Sequence, residues 1–247
     1  MASQWPRTCR DAAFVVAPGV PTNRVLLRYT GPDEREEHQV AEMPPWTLEE
    51  LSARLVGVSA LYLNLASGFE LEVATAEALR PRFEGGIYLD LHSLNLGIEA
   101  SGRRFLRRPP ELERWLSCVD VIQVNQAEAA LCGPVPEGIL AVAEAAGVGA
   151  VVVTGGRDGA SVWAQDGWRF GARGAVGRPY RETAVMAVRP EEATDPTGCG
   201  DVFGAALAAR LAGGASVAEA LGRATGLASA ASRFSGAAGL AAWLLNG

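Results

Sequence analysis

The residues best suited to chemistry are gathered in "DPTGCGDVF", residues 195 to 203, where Gly198, Cys199 and Gly200 precede Asp201 and an alanine-rich apolar run that suits a buried helix. A helix N-terminus carries unpaired backbone N–H groups and the positive end of the helix dipole. It therefore attracts anions wherever nothing bulky blocks the approach. Gly198-Cys199-Gly200 offers such an open edge. A carboxylate in the first turn, Asp201, would be repelled by a bound phosphate unless it has a proton to take, so its natural role is general base toward a hydroxyl. The plain alternative is an ordinary loop whose following acid merely favours the helix dipole.

Such a constellation needs a scaffold, and the chain supplies one. Glycine-bounded apolar runs at 58–65, 85–92, 119–125 and 149–156 alternate with helical patterns, which predicts βαβ units and a mainly parallel sheet. In open parallel sheets ligands gather beyond the carboxyl ends of the strands. Asn64, Asp90, Asn125 and the glycines after Thr154 sit at such ends and become candidates by position, with His92 and Asn95 carrying a weaker signal. Thr47-Leu48-Glu49-Glu50 and Ser216-Val217-Ala218-Glu219 have capping-box spacing and mark helix starts. Asp166-Gly167, between two short runs in "SVWAQDGWRFGA", predicts a tight β-hairpin. The N-terminal segment reads as two or three extended, antiparallel strands without an intervening helix.

Composition sets the outer limits. With 247 residues, 49% hydrophobic and 20% charged, the chain can form one α/β domain with a substantial core. A net charge of -6, with basic clusters no longer than Arg103-Arg104 and Arg107-Arg108, argues against a polyanion-binding face, so nucleic acid is not expected as a partner. The first residues lack the apolar core of a signal peptide, and no run approaches the roughly 18 to 20 apolar residues of a membrane span. No membrane association is expected, and a cytoplasmic location is. The four cysteines form no C-x-x-C pair, and with only His38 and His92 available no zinc cluster follows from local spacing.

Three motifs together resemble the ribokinase-like (PfkB) carbohydrate kinase family. The family's D-T-x-G-A-G-D signature is matched by Asp195-Pro196-Thr197-Gly198-Cys199-Gly200-Asp201, with Pro196 and Cys199 as departures that leave the chemistry in place. Its N-x-x-E motif is matched by Asn125-Gln126-Ala127-Glu128, and its T-x-G-x-x-G-A pattern by Thr154 to Ala160. All three occur in family order, each after the expected strand. The resemblance implies a ribokinase-like three-layer α/β/α fold, with a mainly parallel central sheet and a small antiparallel β lid near the N-terminus. It implies one domain over 1–247, with lid strands at about 12–42.

The same resemblance implies phosphoryl transfer from ATP to a hydroxyl of a small sugar, polyol or nucleoside. Asp201 would be the base and Gly198, Cys199 and Gly200 the anion hole. Thr154, Gly156, Gly159 and Asp195 would border the nucleotide, Asn125 and Glu128 would help place Mg2+, and a monovalent cation is a further candidate. Asn23, Arg24, Asn64 and Asp90 are partial contacts to the acceptor, and the lid strands suggest a homodimer. Thr22 and Arg28-Tyr29 ahead of an acidic turn resemble the inositol-kinase-like branch.

Nothing before residue 21 matches the family's opening strand with its substrate-binding Asp, nor the Gly-Gly motif that follows. Gly85-Gly86 comes too late and precedes a strand. By the family's order about the first third is absent. An unpaired sheet edge and hence oligomerisation or modest stability are expected. The alternative function is a nucleotide-binding remnant, regulatory or structural, without phosphotransfer.

Overall fold

The computed structural model describes residues 22–29, 35–187 and 197–234, together with Gly19, Gly239, Leu240 and Trp243. In chain order the elements are β1 (Arg24–Tyr29), β2 (Arg35–Ala41), α1 (Leu48–Arg54), β3 (Ala60–Asn64), α2 (Val73–Leu79), β4 (Gly86–Asp90), β5 (Leu96–Ile98) and β6 (Arg104–Leu106). They continue with α3 (Leu112–Ser117), β7 (Val121–Asn125), α4 (Gln126–Ala129), α5 (Glu137–Ala145), β8 (Ala150–Thr154), β9 (Ala160–Gln165), β10 (Tyr180–Val185), α6 (Cys199–Ala212) and α7 (Val217–Ala231). The four apolar runs became β3, β4, β7 and β8, and both capping boxes formed, at Thr47 and Ser216.

The central sheet has the order β10-β9-β8-β7-β4-β3, in which β3, β4, β7 and β8 run parallel, β9 pairs antiparallel with β8, and β10 pairs antiparallel with β9 and so runs with the other four. Side chains alternate across its faces. Ile87, Leu89, Ile122 and Val124 pack with α2, α3 and α5 on one side. Tyr88, Val121, Val152 and Val162 meet Phe203, Leu207 and Leu221 of α6 and α7 on the other. Those three layers are the expected α/β/α arrangement. At the amino ends of the strands, fully buried Asp120 accepts from Ile87 N at 2.8 Å and pairs with Arg80 at 3.2 Å, clamping β4 beside β7.

The lid expectation also holds in the described part. β1 and β2 pair antiparallel over Arg24 to Ala41, while residues 12–18, 20–21 and 30–34 lie outside the described residues. Two features differ from expectation. The Asp166-Gly167 turn exists, but the run after it is not a strand, and β9 pairs with β10 instead. The aromatic burial of Trp168 and Phe170 against the α6–α7 side, and the Gln165 amide holding Ala175 and Arg178, draw that run into a packed loop. The second is an unforeseen β5–β6 hairpin, which joins the lid through a bridge between His38 and Arg103 and a 2.8 Å bond from Gln39 N to Gly102 O.

Candidate active site

Parallel pairing in register brings the polar strand ends into one row. Asn64 lies beside Asp90 across β3 and β4, Asp90 beside Gln123 across β4 and β7, and Asn125 beside Thr154 across β7 and β8. Helix α6 starts directly over this row. Its N-cap, Gly198, is left-handed at φ +81° and has no side chain of its own to cap the first turn, in contrast to Thr47, Asn125 and Ser216 at their helices. The turn is open where Gly200 lies: a Cβ there would meet nothing nearer than Gln123 Nε2 at 4.0 Å. The row, the helix start and the lid enclose a cavity of about 520 Å³, lined among others by Asn23, Val25, Leu27, Glu37, Asp90, His92, Arg104, Gln123, Thr154, Gly198, Gly200 and Asp201. A larger cleft of about 720 Å³, bordered by the 67–69 and 93–96 segments, mixes apolar residues with Glu42, Glu72, Arg107 and Arg114 and gathers none of the candidate residues.

Asp201 is exposed to solvent, and Asn64 Nδ2 donates to its Oδ1 at 2.9 Å, which leaves Oδ2 for another partner. Asp90 is buried, accepts from His92 N at 3.0 Å and from Gln123 Nε2 at 2.7 Å, and lies near two more acids. Burial pushes its carboxyl up from 3.8 to about 7; the His92 N–H opposes this, and the charges of Glu128 and Asp201 add to it. Glu128 closes a capping box on α4. One of its oxygens takes Asn125 Nδ2 and His92 Nδ1, each at 2.7 Å, and the other takes Asn125 N at 2.9 Å. That carboxylate raises the His92 pKa against the opposing effect of burial.

Arg104 of the β5–β6 hairpin enters the cavity from the lid side. It is 3.3 Å from Glu37 and donates to the carbonyls of Ala66 and Ser67. Asn23 bonds Glu70 and Met43 N, and Glu70 in turn accepts from Ser67 N and Gly68 N, so the lid base is tied to the loop after β3.

The structure thus brings together Asp201, Gly198, Gly200, Asn64, Asp90, Thr154, Asn125, Glu128 and Asn23. Cys199 begins α6 but does not line the cavity, and neither does Arg24, whose strand turns Val25 and Leu27 inward. Gly156 and Gly159 are outside it too. They shape a tight turn between β8 and β9, and a Cβ on Gly159 would meet Val185 O at 2.1 Å, so that glycine serves close packing on β10. Asp195 and Pro196 lie outside the described residues. Sequence reasoning missed Gln123, Glu37 and Arg104. For Gln123 a signal existed, a lone amide inside the otherwise apolar strand "VIQV". For the other two none did.

Donor chemistry decides how a metal would fit. Among the described residues no cluster of three or more His, Cys, Asp or Glu could cage an ion. Carboxylate oxygens beside a helix N-terminus do suit Mg2+, which usually keeps several waters and is bound by one or two carboxylates together with substrate phosphates. Asn125 and Glu128 already hold each other, so their contact to such an ion would run through its water.

A family model described as pfkB family carbohydrate kinase matches residues 105–243. Among solved structures the chain is similar to a pyrophosphate-dependent kinase in the ribokinase family complexed with a pyrophosphate analog and myo-inositol. Identity is 20%, covering 87% of this chain and 70% of that one, with a TM-score of 0.68. It is also similar to the ribokinase of Arabidopsis thaliana complexed with ribose and ATP (18% identity, 93% and 70% covered, TM-score 0.67). A third is a ribokinase from Thermotoga maritima (18% identity, 92% and 71% covered, TM-score 0.65). At these identities the likeness concerns the fold. No curated protein matches the chain.

Proposed function

Because the chain belongs to the pfkB family of carbohydrate kinases, we propose that it transfers a phosphoryl group from ATP to a hydroxyl of a small sugar, polyol or nucleoside. The observation that carries this reading is Asp201, held by Asn64 in the first turn of a glycine-led helix over a lid-covered cavity. Asp201 Oδ2 accepts the hydroxyl proton as the oxygen attacks. The backbone N–H groups of residues 198–200 receive the negative charge of the phosphoryl in transit, at no cost of reorganisation. Magnesium bound with the donor would supply further neutralisation of phosphate charge, and Glu128 with Asn125 would help hold it. Thr154 lines the phosphate end of the cavity, whereas Asn23, Asp90, Glu37 and Arg104 face the acceptor end. Val25 and Leu27 from the lid limit water there.

This reading treats residues 1–247 as one domain. It places the protein in the cytoplasm, where ATP is abundant, and offers the exposed Leu26 and Val40 of the lid as the face for a second copy. No helix among the described residues is long and apolar enough to cross a membrane.

The test is release of ADP with Mg2+ and ATP over a panel of polyols, sugars and nucleosides. Asp201→Asn should lower turnover by about a thousandfold while ATP binding persists. ATP binding without turnover on any acceptor would support the binding-remnant reading, and absence of any nucleotide binding would refute both.

A further inference from the structure

We infer that Gln123 is a positioning residue, which fastens the first turn of α6 to strand β4 and so places both the anion-binding backbone and Asp201. Its side chain is 3% exposed, and every polar group on it is used. One amide N–H donates to Asp90 Oδ2 at 2.7 Å and the other to Gly200 O at 3.2 Å, while Oε1 accepts from the Tyr88 hydroxyl at 2.8 Å. The two acceptors fix which end of the amide faces the helix, since Asp90 Oδ2 and Gly200 O both take a donor while the Tyr88 hydroxyl can serve either role.

The amide therefore stands between two acceptors, a carboxylate on β4 and a backbone carbonyl at the start of α6. Without it Asp90 Oδ2 and Gly200 O lose the donor group they share in a buried setting, and the contact that holds the helix start to β4 is gone. The strand cannot move, since Tyr88 and Leu89 on it are fully buried. The helix start can, because its first turn borders the open cavity. A second observation shows how closely α6 is drawn in beside this amide: a Cβ on Gly204, one turn along, would lie 2.7 Å from Gln123 Oε1 and 2.3 Å from the Tyr62 hydroxyl. Releasing the amide moves Gly198, Gly200 and Asp201 together, as one rigid turn.

The rate part of this inference rests on the kinase reading, but the binding part does not, and the experiment separates them. Gln123→Leu removes both donors, and Gln123→Glu keeps the shape while turning a donor into an acceptor. Inorganic phosphate is titrated against each folded variant by calorimetry, and kcat and KM are measured on whichever acceptor the wild type uses. Phosphate affinity should fall about tenfold in both variants, with kcat reduced more than the acceptor KM is raised. A purely structural amide would lower the melting temperature and leave that split unmoved. Should neither variant fold, Tyr88→Phe leaves Oε1 without its donor, loosens the amide and should give a smaller loss of the same kind. Wild-type phosphate affinity in folded Gln123→Leu, or in Tyr88→Phe where neither Gln123 variant folds, overturns the inference, as does a wild type that binds no phosphate. Weakened phosphate binding in a protein that never turns over would sustain the inference and refute the kinase reading. Turnover and phosphate binding unaffected by either substitution would do the reverse.

Discussion

Replacing Gly204 with alanine is the smallest change that displaces α6. The new Cβ would sit 2.3 Å from the Tyr62 hydroxyl and 2.7 Å from Gln123 Oε1, where ordinary contact begins at 3.4 Å, so in a close-packed interior something must retreat by about an ångström. Neither neighbour yields easily. Tyr62 stands edge-on to Tyr88 with ring centroids 5.3 Å apart, and Gln123 is held at three points. The helix therefore shifts, at an overpacking cost of about 1–3 kcal/mol. Alanine's better helix propensity returns about 1 kcal/mol, which leaves a net loss of about 1 kcal/mol and a Tm lower by a few degrees. A displacement of that size at the reacting groups costs up to about a hundredfold in kcat. Gly222 of α7, whose Cβ would meet nothing within 4 Å, is the control: Gly222→Ala should stabilise by about 0.5–1 kcal/mol and leave turnover alone. Thermal melts and turnover measured on the same preparations decide the matter. A Gly204→Ala protein that melts higher than wild type with unchanged kcat would refute the close approach of helix and sheet.

Arg80→Met leaves the Asp120 carboxylate buried without its cation and should destabilise by about 3 kcal/mol, read as a shift in urea midpoint; an unchanged midpoint would mean that the pair contributes nothing. Because burial raises Asp90 from 3.8 to about 7, the folded protein holds a proton there that the unfolded chain releases, so stability should fall as pH rises between those values and then level off. His92, raised by its Glu128 contact, adds stability that is present below its ordinary 6.5 and is lost as pH climbs past that value, a slope of the same sign. Asp90→Asn should flatten the lower part of this curve in melts across a pH series, and an unaltered slope would count against the buried proton. Arg104→Met should raise the acceptor KM about tenfold with little effect on the KM for ATP, since the guanidinium spans Glu37 and the Ala66 and Ser67 carbonyls at the acceptor end. Equal changes in both constants would place it elsewhere in the mechanism.

Local chemistry determined a good deal on its own. Apolar runs of strand length, the capping boxes at Thr47 and Ser216 and the glycines before Asp201 each follow from the conformational needs of a few neighbouring residues, so they were legible in the chain and reappear in the structure. The parallel sheet followed from their alternation. What only the tertiary structure decided depends on partners far apart in sequence. Asn64 reaches Asp201 across 137 positions, Gln123 reaches Gly200 across 77, and Arg104 reaches the cavity from a hairpin that no periodicity announced. The Asp166-Gly167 turn shows the limit from the other side, because turn residues specify a bend but burial of Trp168 and Phe170 chose the strand that pairs with β9. In the same way only the folded structure shows that Gly159 passes so close to β10 that Val185 O lies 2.1 Å from where its Cβ would be. Spacing along the chain sets which backbone shapes are affordable. Which side chains meet is set by strand register and by how deeply α6 seats on the sheet.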